Sequence, residues 1–125
     1  MTAPRQALVV DDNEVNRMLA ARLLAKAGWQ VHDVDDGLAA LAWLRAHCVD
    51  LVLLDISMPG LSGEDVCREA RQSGCCGGAK LVAYTAHAMP EEKARFLACG
   101  FDTILTKPIS KTAIADMLTA LGLAS

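Results

Sequence analysis

Hydrophobic and polar positions along this chain fall into two alternating patterns. Short apolar runs occur at 7–10, 30–34, 51–54, 81–84 and 103–106. The segments between them carry apolar residues at helical spacing. In the first such segment Val15, Leu19 and Leu23 recur at every fourth position with Met18 beside them, while Glu14, Arg17, Arg22 and Lys26 are polar. One apolar stripe opposite one wet face predicts an amphipathic helix packed through that stripe. Asp12 or Asn13 is placed to cap its start, and Gly28 sits where a helix C-cap belongs. A second helix is predicted over 38–46, opened by Asp35, Asp36 and Gly37, and a third over about 63–72 behind Pro59, Gly60, Ser62 and Gly63. A fourth, 90–98, begins at Pro90, whose missing N–H costs nothing in a first helical turn. A fifth runs over about 110–121 with Ser110 as its N-cap.

The order is therefore strand, helix, five times over. Strands separated by helices need crossover connections, which makes the sheet parallel and the crossovers right-handed. The fold class is a single doubly wound α/β domain, with helices on both faces of a five-stranded parallel sheet. No internal repeat, low-complexity tract or linker interrupts the chain, and Gly74 to Gly78 reads as a loop inside one domain spanning 1–125.

Composition narrows the function classes. Hydrophobic residues make up 53% of the chain but aromatic residues only 4%, so the core must be aliphatic. The net charge of −3 leaves no basic footprint for nucleic acid. The longest stretch without Asp, Glu, Lys or Arg is 81–90, too short to cross a bilayer. The N-terminal residues do not read as a signal peptide, which points to the cytosol and away from a membrane. Cys48, Cys67, Cys75, Cys76 and Cys99 are odd in number and form no C-x-x-C pair, which argues against a disulfide framework or a zinc site. The adjacent Cys75 and Cys76 read as reduced thiols in a surface loop, with a redox role as the alternative.

The candidate chemistry sits at the end of each apolar run. Open parallel sheets bind ligands beyond the carboxyl ends of their strands. Those ends carry Asp11 and Asp12 after strand 1, Asp35 and Asp36 after strand 2, Asp55 after strand 3, Thr85 after strand 4 and Lys107 after strand 5. Each acid has a plain structural reading as well. Asp11 and Asp12 can cap a helix, Asp55 can end a strand, and Asp35 and Asp36 suit a turn and helix start. If strands 1, 3, 4 and 5 are neighbours, however, three acids, a hydroxyl and an amine meet at one edge. Two carboxylates about 4 Å apart repel by roughly 4 kcal/mol at an effective dielectric near 20. Such a cluster needs either a held proton or a cation, and all-oxygen ligands favour a hard ion such as Mg²⁺. A divalent ion, a lysine and an acceptor carboxylate together read as phosphoryl transfer to an aspartate.

Four motifs in order, "VVDDN" at 9–13, "LLDISMPGLSG" at 53–63, "YTAHAM" at 84–89 and "LTKPI" at 105–109, resemble the response-regulator receiver domain of two-component signalling. The wording is most similar to receivers of hybrid sensor kinases and phosphorelays. The resemblance implies a flavodoxin-like fold with strand order 2-1-3-4-5. It makes Asp55 the phosphoacceptor, Asp12 a direct Mg²⁺ ligand, Asp11 a helper through water, and the Ser57 carbonyl the remaining protein ligand. Lys107 would pair with the acceptor or its phosphate, Thr85 would bring its hydroxyl to a phosphate oxygen, and Pro108 would be a cis-proline that aims Lys107. The donor would be a histidine kinase or histidine phosphotransfer protein, and an unidentified downstream protein would read the result. The domain would catalyse only its own phosphorylation and dephosphorylation.

One position departs from the pattern. Ile104 stands where receivers usually carry Tyr or Phe, so no ring is available to turn inward on activation. His87, two after Thr85, reads as a surface residue flanking the site. His32 and His47 read as structural, and Trp29 and Trp43 as packing residues. "GLSG" at 60–63 lacks the spacing of a nucleophile elbow. Two other functions compete. A phosphatase with an aspartyl intermediate of the haloacid dehalogenase type would need D-x-D-x-T, but Asp55 is followed by Ile56, Ser57 and Met58. The other is a phosphorylation-independent interaction module, for which the Cys75–Cys76 thiols are a candidate point of regulation.

Overall fold

The computed structural model describes residues 5–58, 60–74, 79–86, 89–107 and 109–123. Each apolar run becomes a strand and each periodic segment a helix. In chain order they are β1 (Gln6–Val10), α1 (Glu14–Lys26), β2 (Gln30–Val34), α2 (Gly37–Ala46), β3 (Leu51–Asp55), α3 (Gly63–Ser73), β4 (Lys80–Thr85), α4 (Pro90–Cys99), β5 (Thr103–Thr106) and α5 (Lys111–Ala120). The sheet is parallel throughout in the order β2-β1-β3-β4-β5, as the resemblance implied.

Side chains on successive strand residues point to opposite faces, and the core divides accordingly. Leu8, Val10, Val52, Leu54, Leu81 and Ala83 face α2, α3 and Phe96 of α4. Ala7, Val9, Leu51, Leu53, Val82 and Tyr84 face α1 and α5. The three central strands are buried almost end to end, whereas β2, at an edge, leaves Gln30, His32 and Asp33 exposed. Both clusters are aliphatic, with Phe96 and Phe101 edge to face in one and Trp29 buried in the other. Trp43 is stacked between His32 and His47, at 4.8 and 4.3 Å between ring centroids.

The predicted caps at Asn13, Asp36 and Ser110 form, and Ser62 adds another. The side chains of Asn13, Asp36, Ser62 and Ser110 each accept a hydrogen bond from the backbone N–H three residues on. At α3 the Asp65 carboxylate also accepts from the Ser62 N–H, completing a capping box. Gly28 follows the C-cap of α1 at φ +95°, where a side chain would be strained.

The buried face of α1 is not the one the spacing predicted. Val15, Met18 and Leu19 are 75, 51 and 39% exposed. Ala20 and Leu24 are buried instead, with Leu23 half-buried against the same cluster. The helix carries two stripes of four-residue spacing one position apart, 15-19-23 and 16-20-24. The second brings α1 against the sheet through small Ala20, and that choice depends on the shape of the sheet, not on periodicity.

One ionic latch ties α3 to the loop between α4 and β5. The Arg71 guanidinium donates to the Gly100 carbonyl at 2.8 and 3.1 Å, to the Ala79 carbonyl at 3.4 Å and to Asp102 at 2.9 Å. Asp102 accepts in turn from the Leu81 N–H at 2.8 Å. Arg71→Met keeps the stem and removes the fork. It is expected to lower unfolding free energy by about 2 kcal/mol in urea titration, the scale of charged hydrogen bonds to buried carbonyls.

Candidate functional site

The strand register sets the site. Val10 lies beside Leu54, Asp55 beside Tyr84, and Thr85 beside Thr106. The residues that end β1, β3, β4 and β5 are therefore level at one edge of the sheet. Asp11 and Asp55 are 2 and 3% exposed, and Thr85 is buried as well. Asp12 is exposed on the loop entering α1. Asp11, Asp12 and Asp55 each offer a carboxylate oxygen, all within 4.8 Å of one another.

Lys107 counters this crowding. Its Nζ lies 3.1 Å from Asp55 Oδ1 and 3.3 Å from Asp11 Oδ2, and 4.8 Å from the centroid of the Tyr84 ring. Its backbone N–H donates to the Thr85 carbonyl at 2.7 Å, which carries the β4–β5 pairing one residue past the end of β5. Asp11 Oδ1 accepts from the Asn13 N–H at 2.8 Å, and Asp55 Oδ1 accepts from the Ser57 N–H at 3.3 Å. Asp11 Oδ2 is buried and accepts no hydrogen bond, leaving the Lys107 contact as an ion pair only. A buried carboxylate oxygen that accepts no hydrogen bond, in a cluster of three carboxylates, fits a divalent cation.

Burial pushes the Asp55 carboxyl up to about 6, and Asp11 adds to this, while Lys107 draws it down without prevailing. Tyr84 is pushed up to about 12, chiefly by burial and then by Asp11 and Asp55.

The sequence-predicted residues divide cleanly. Asp11, Asp12, Asp55, Thr85 and Lys107 come together, and Ser57 flanks Asp55 through its backbone. Asp35 and Asp36 serve the start of α2, where Asp36 is the N-cap. Ile104 is half-buried and packs against the cluster on the α2–α4 side. His87, Pro108, Cys75 and Cys76 lie outside the described residues.

Three contributors went unread in the sequence. Arg17, classed there as part of a wet face, donates to the Asp11 carbonyl at 3.1 Å and to Asp33 at 2.8 Å. Tyr84 supplies the aromatic face beneath Lys107. Gly63 lets α3 start hard against the end of β3: a Cβ there would collide with the Asp55 carbonyl oxygen and come within 3.0 Å of the Ile56 Cα. A glycine at the first position of a helix, behind a good N-cap, was the available signal for this last contact.

Comparison with known proteins identifies the family and the fold. The family model described as the response regulator receiver domain matches residues 7–119. The chain belongs to the response-regulator receiver family. This receiver is 43% identical over 119 residues to the sensor histidine kinase GacS of Pseudomonas protegens, covering 93% of the chain and 13% of that protein. It is 39% identical over 111 residues to the sensor histidine kinase RcsC of Salmonella typhi, covering 89% and 12%. The chain thus spans about one-eighth of the length of these curated relatives. Among solved structures, the Vibrio cholerae chemotaxis protein CheY4 superposes with a TM-score of 0.89 at 26% identity, covering 94% of this chain and 98% of that one. Receivers of hybrid histidine kinases support a phosphoacceptor signalling role for this domain.

The raised Asp55 carboxyl makes stability depend on pH. The folded protein keeps this proton up to about pH 6, while the ordinary aspartate value is 3.8. Between those values the folded state binds more protons than the unfolded chain, so stability falls as pH rises. Asp55→Asn cannot ionise. It is expected to raise the urea midpoint above that of wild type at pH 7.5, without divalent ions, and to bring little gain at pH 4. Equal gains at both pH values would contradict the raised carboxyl.

Proposed function

We propose that residues 1–125 act as one receiver domain, taking a phosphoryl group from the phosphohistidine of a histidine kinase or histidine phosphotransfer protein onto Asp55. The observation that carries this reading is Lys107 Nζ held between Asp55 and Asp11 at 3.1 and 3.3 Å, beside a buried Asp11 oxygen that accepts no hydrogen bond. In the transfer an Asp55 carboxylate oxygen bonds to phosphorus as the phosphorus–nitrogen bond breaks, and the electron pair returns to the donor imidazole. Asp11, Asp12, Asp55 and the Ser57 carbonyl would hold Mg²⁺, which supplies cancellation of the charge on the moving phosphoryl oxygens. Lys107 keeps its ammonium on the acceptor side and receives a phosphate oxygen once Asp55 is modified. Thr85, at the end of β4, brings its hydroxyl to another.

The domain turns over no external substrate. It works in the cytosol as a switch, and a downstream protein distinguishes its two states. The similarity to receivers of sensor histidine kinases supports this reading. Val15, Met18 and Leu19 present an exposed apolar strip on α1, beginning three residues after Asp12. A patch of this kind next to a reacting group suits a protein donor.

Incubation with acetyl phosphate and Mg²⁺ is expected to add one phosphate to the wild type and none to Asp55→Asn, read by intact mass. Label that persists in Asp55→Asn would refute the acceptor. Val15→Asp adds an acid to the first turn of α1, where the helix dipole favours it. Loss of one contact residue of this kind should slow transfer from a phosphorylated histidine phosphotransfer protein by about tenfold while acetyl phosphate labelling stays unchanged.

A further inference from the structure

The loop that carries Asp11 and Asp12 is held from outside the site. The Asp11 N–H donates to the Val34 carbonyl at the end of β2, at 3.3 Å. The Asp11 carbonyl accepts from Arg17 Nη1 at 3.1 Å, and the Nε of the same guanidinium donates to Asp33 of β2 at 2.8 Å. Both backbone groups of Asp11 are thus fixed from β2, one directly and one through Arg17. The Asp11 carbonyl and the Asp12 nitrogen share one planar peptide unit. Pinning that oxygen therefore fixes the plane from which the Asp12 side chain departs. The carboxylate of Asp11 is separately tied to the Asn13 N–H at 2.8 Å.

We propose that Arg17 is a positioning residue for the acid cluster, its fork between Asp33 and the Asp11 carbonyl holding Asp11 and Asp12 at a spacing that admits a divalent cation. This rests on the proposed role of these acids in holding Mg²⁺. Arg17 does not touch the carboxylates in any described contact; its guanidinium reaches the backbone of one acid and the side chain of a neighbouring strand. A lysine lacks this arrangement, because it carries one donor nitrogen where Arg17 reaches Asp33 with Nε and the Asp11 carbonyl with Nη1 of a rigid plane. The fork would also let strain at the β2 edge reach the cluster, since Asp33 lies on an exposed part of that strand.

The test uses the whole chain, with Arg17→Gln, Arg17→Lys and Asp33→Asn. Mg²⁺ affinity is measured by titration calorimetry, and exchange of the Asn13 amide is followed by NMR in metal-free protein. Partners that orient metal ligands typically contribute tenfold or more in affinity, so Arg17→Gln is expected to weaken Mg²⁺ binding by about tenfold. The Asn13 amide should exchange faster in that variant while amides of β3 stay protected. Arg17→Lys should stay close to Arg17→Gln, and Asp33→Asn should show a smaller loss that disappears in the Arg17→Gln background. Unchanged Mg²⁺ affinity in Arg17→Gln, or full recovery in Arg17→Lys, would overturn the proposal, the latter by showing that charge alone suffices. A wild type that takes up no Mg²⁺ would overturn the functional reading and this inference with it; normal uptake by wild type and variants alike would overturn the inference alone.

Discussion

Like charges brought together at the end of a sheet are the constraint around which this protein is built. Asp11 and Asp55 are both buried, and Asp12 stands close enough to add its charge. In water such a group would disperse. Here it persists because Lys107 is delivered to the same point by the pairing of β5 with β4, extended by the bond from its N–H to the Thr85 carbonyl. The counter-charge is thus a product of strand register. A slip of one residue in β5 would turn Lys107 to the other face of the sheet and leave the acids unopposed. Lys107 does not cancel the burial of Asp55, whose carboxyl stays well above the usual aspartate range. Three carboxylates against one ammonium leave the site short of positive charge, the condition that favours a hard cation among oxygen ligands.

Much of this was legible in the residues. The strands and helices followed from apolar runs, periodicity and caps, because those signals are local and each cap bonds to a backbone group three residues away. The acids, Thr85 and Lys107 were legible because a parallel sheet places all its strand ends on one edge. Three things were not. The buried face of α1 could not be chosen between two stripes one residue apart, since the deciding contact is the close approach of Ala20 to strands distant in sequence. Arg17 looked like any helix-surface cation, because its partners lie on a backbone oxygen six residues earlier and on the next strand. Tyr84 looked like one more core residue, because nothing in a single sequence tells which side of a strand lies beneath a lysine that comes more than twenty positions later.

Membership of the receiver family makes the departures of this chain informative. Ile104 occupies the position where an aromatic ring is usual, and it packs with the cluster shared by α2, α3 and α4. A stiff aliphatic there keeps the β4–β5 side of the domain well packed but offers no ring to exchange between inner and outer positions. A ring does lie close to the acid cluster: Tyr84, on the opposite face of the sheet and directly under Lys107. The aromatic contact to the site thus comes through β4 and not through β5.

Gly63 has a consequence for how this sequence can diverge. Its missing side chain seats the first turn of α3 on the Asp55 carbonyl. Any larger residue would push back either the helix or the strand that holds Asp55. Its neighbour Ser62 needs only an oxygen to complete the cap, a role that Thr, Asp or Asn can fill. Drift at these two adjacent positions is therefore unequal: the first is frozen by sterics against Asp55, while the second is free to wander among capping residues without disturbing the acid cluster.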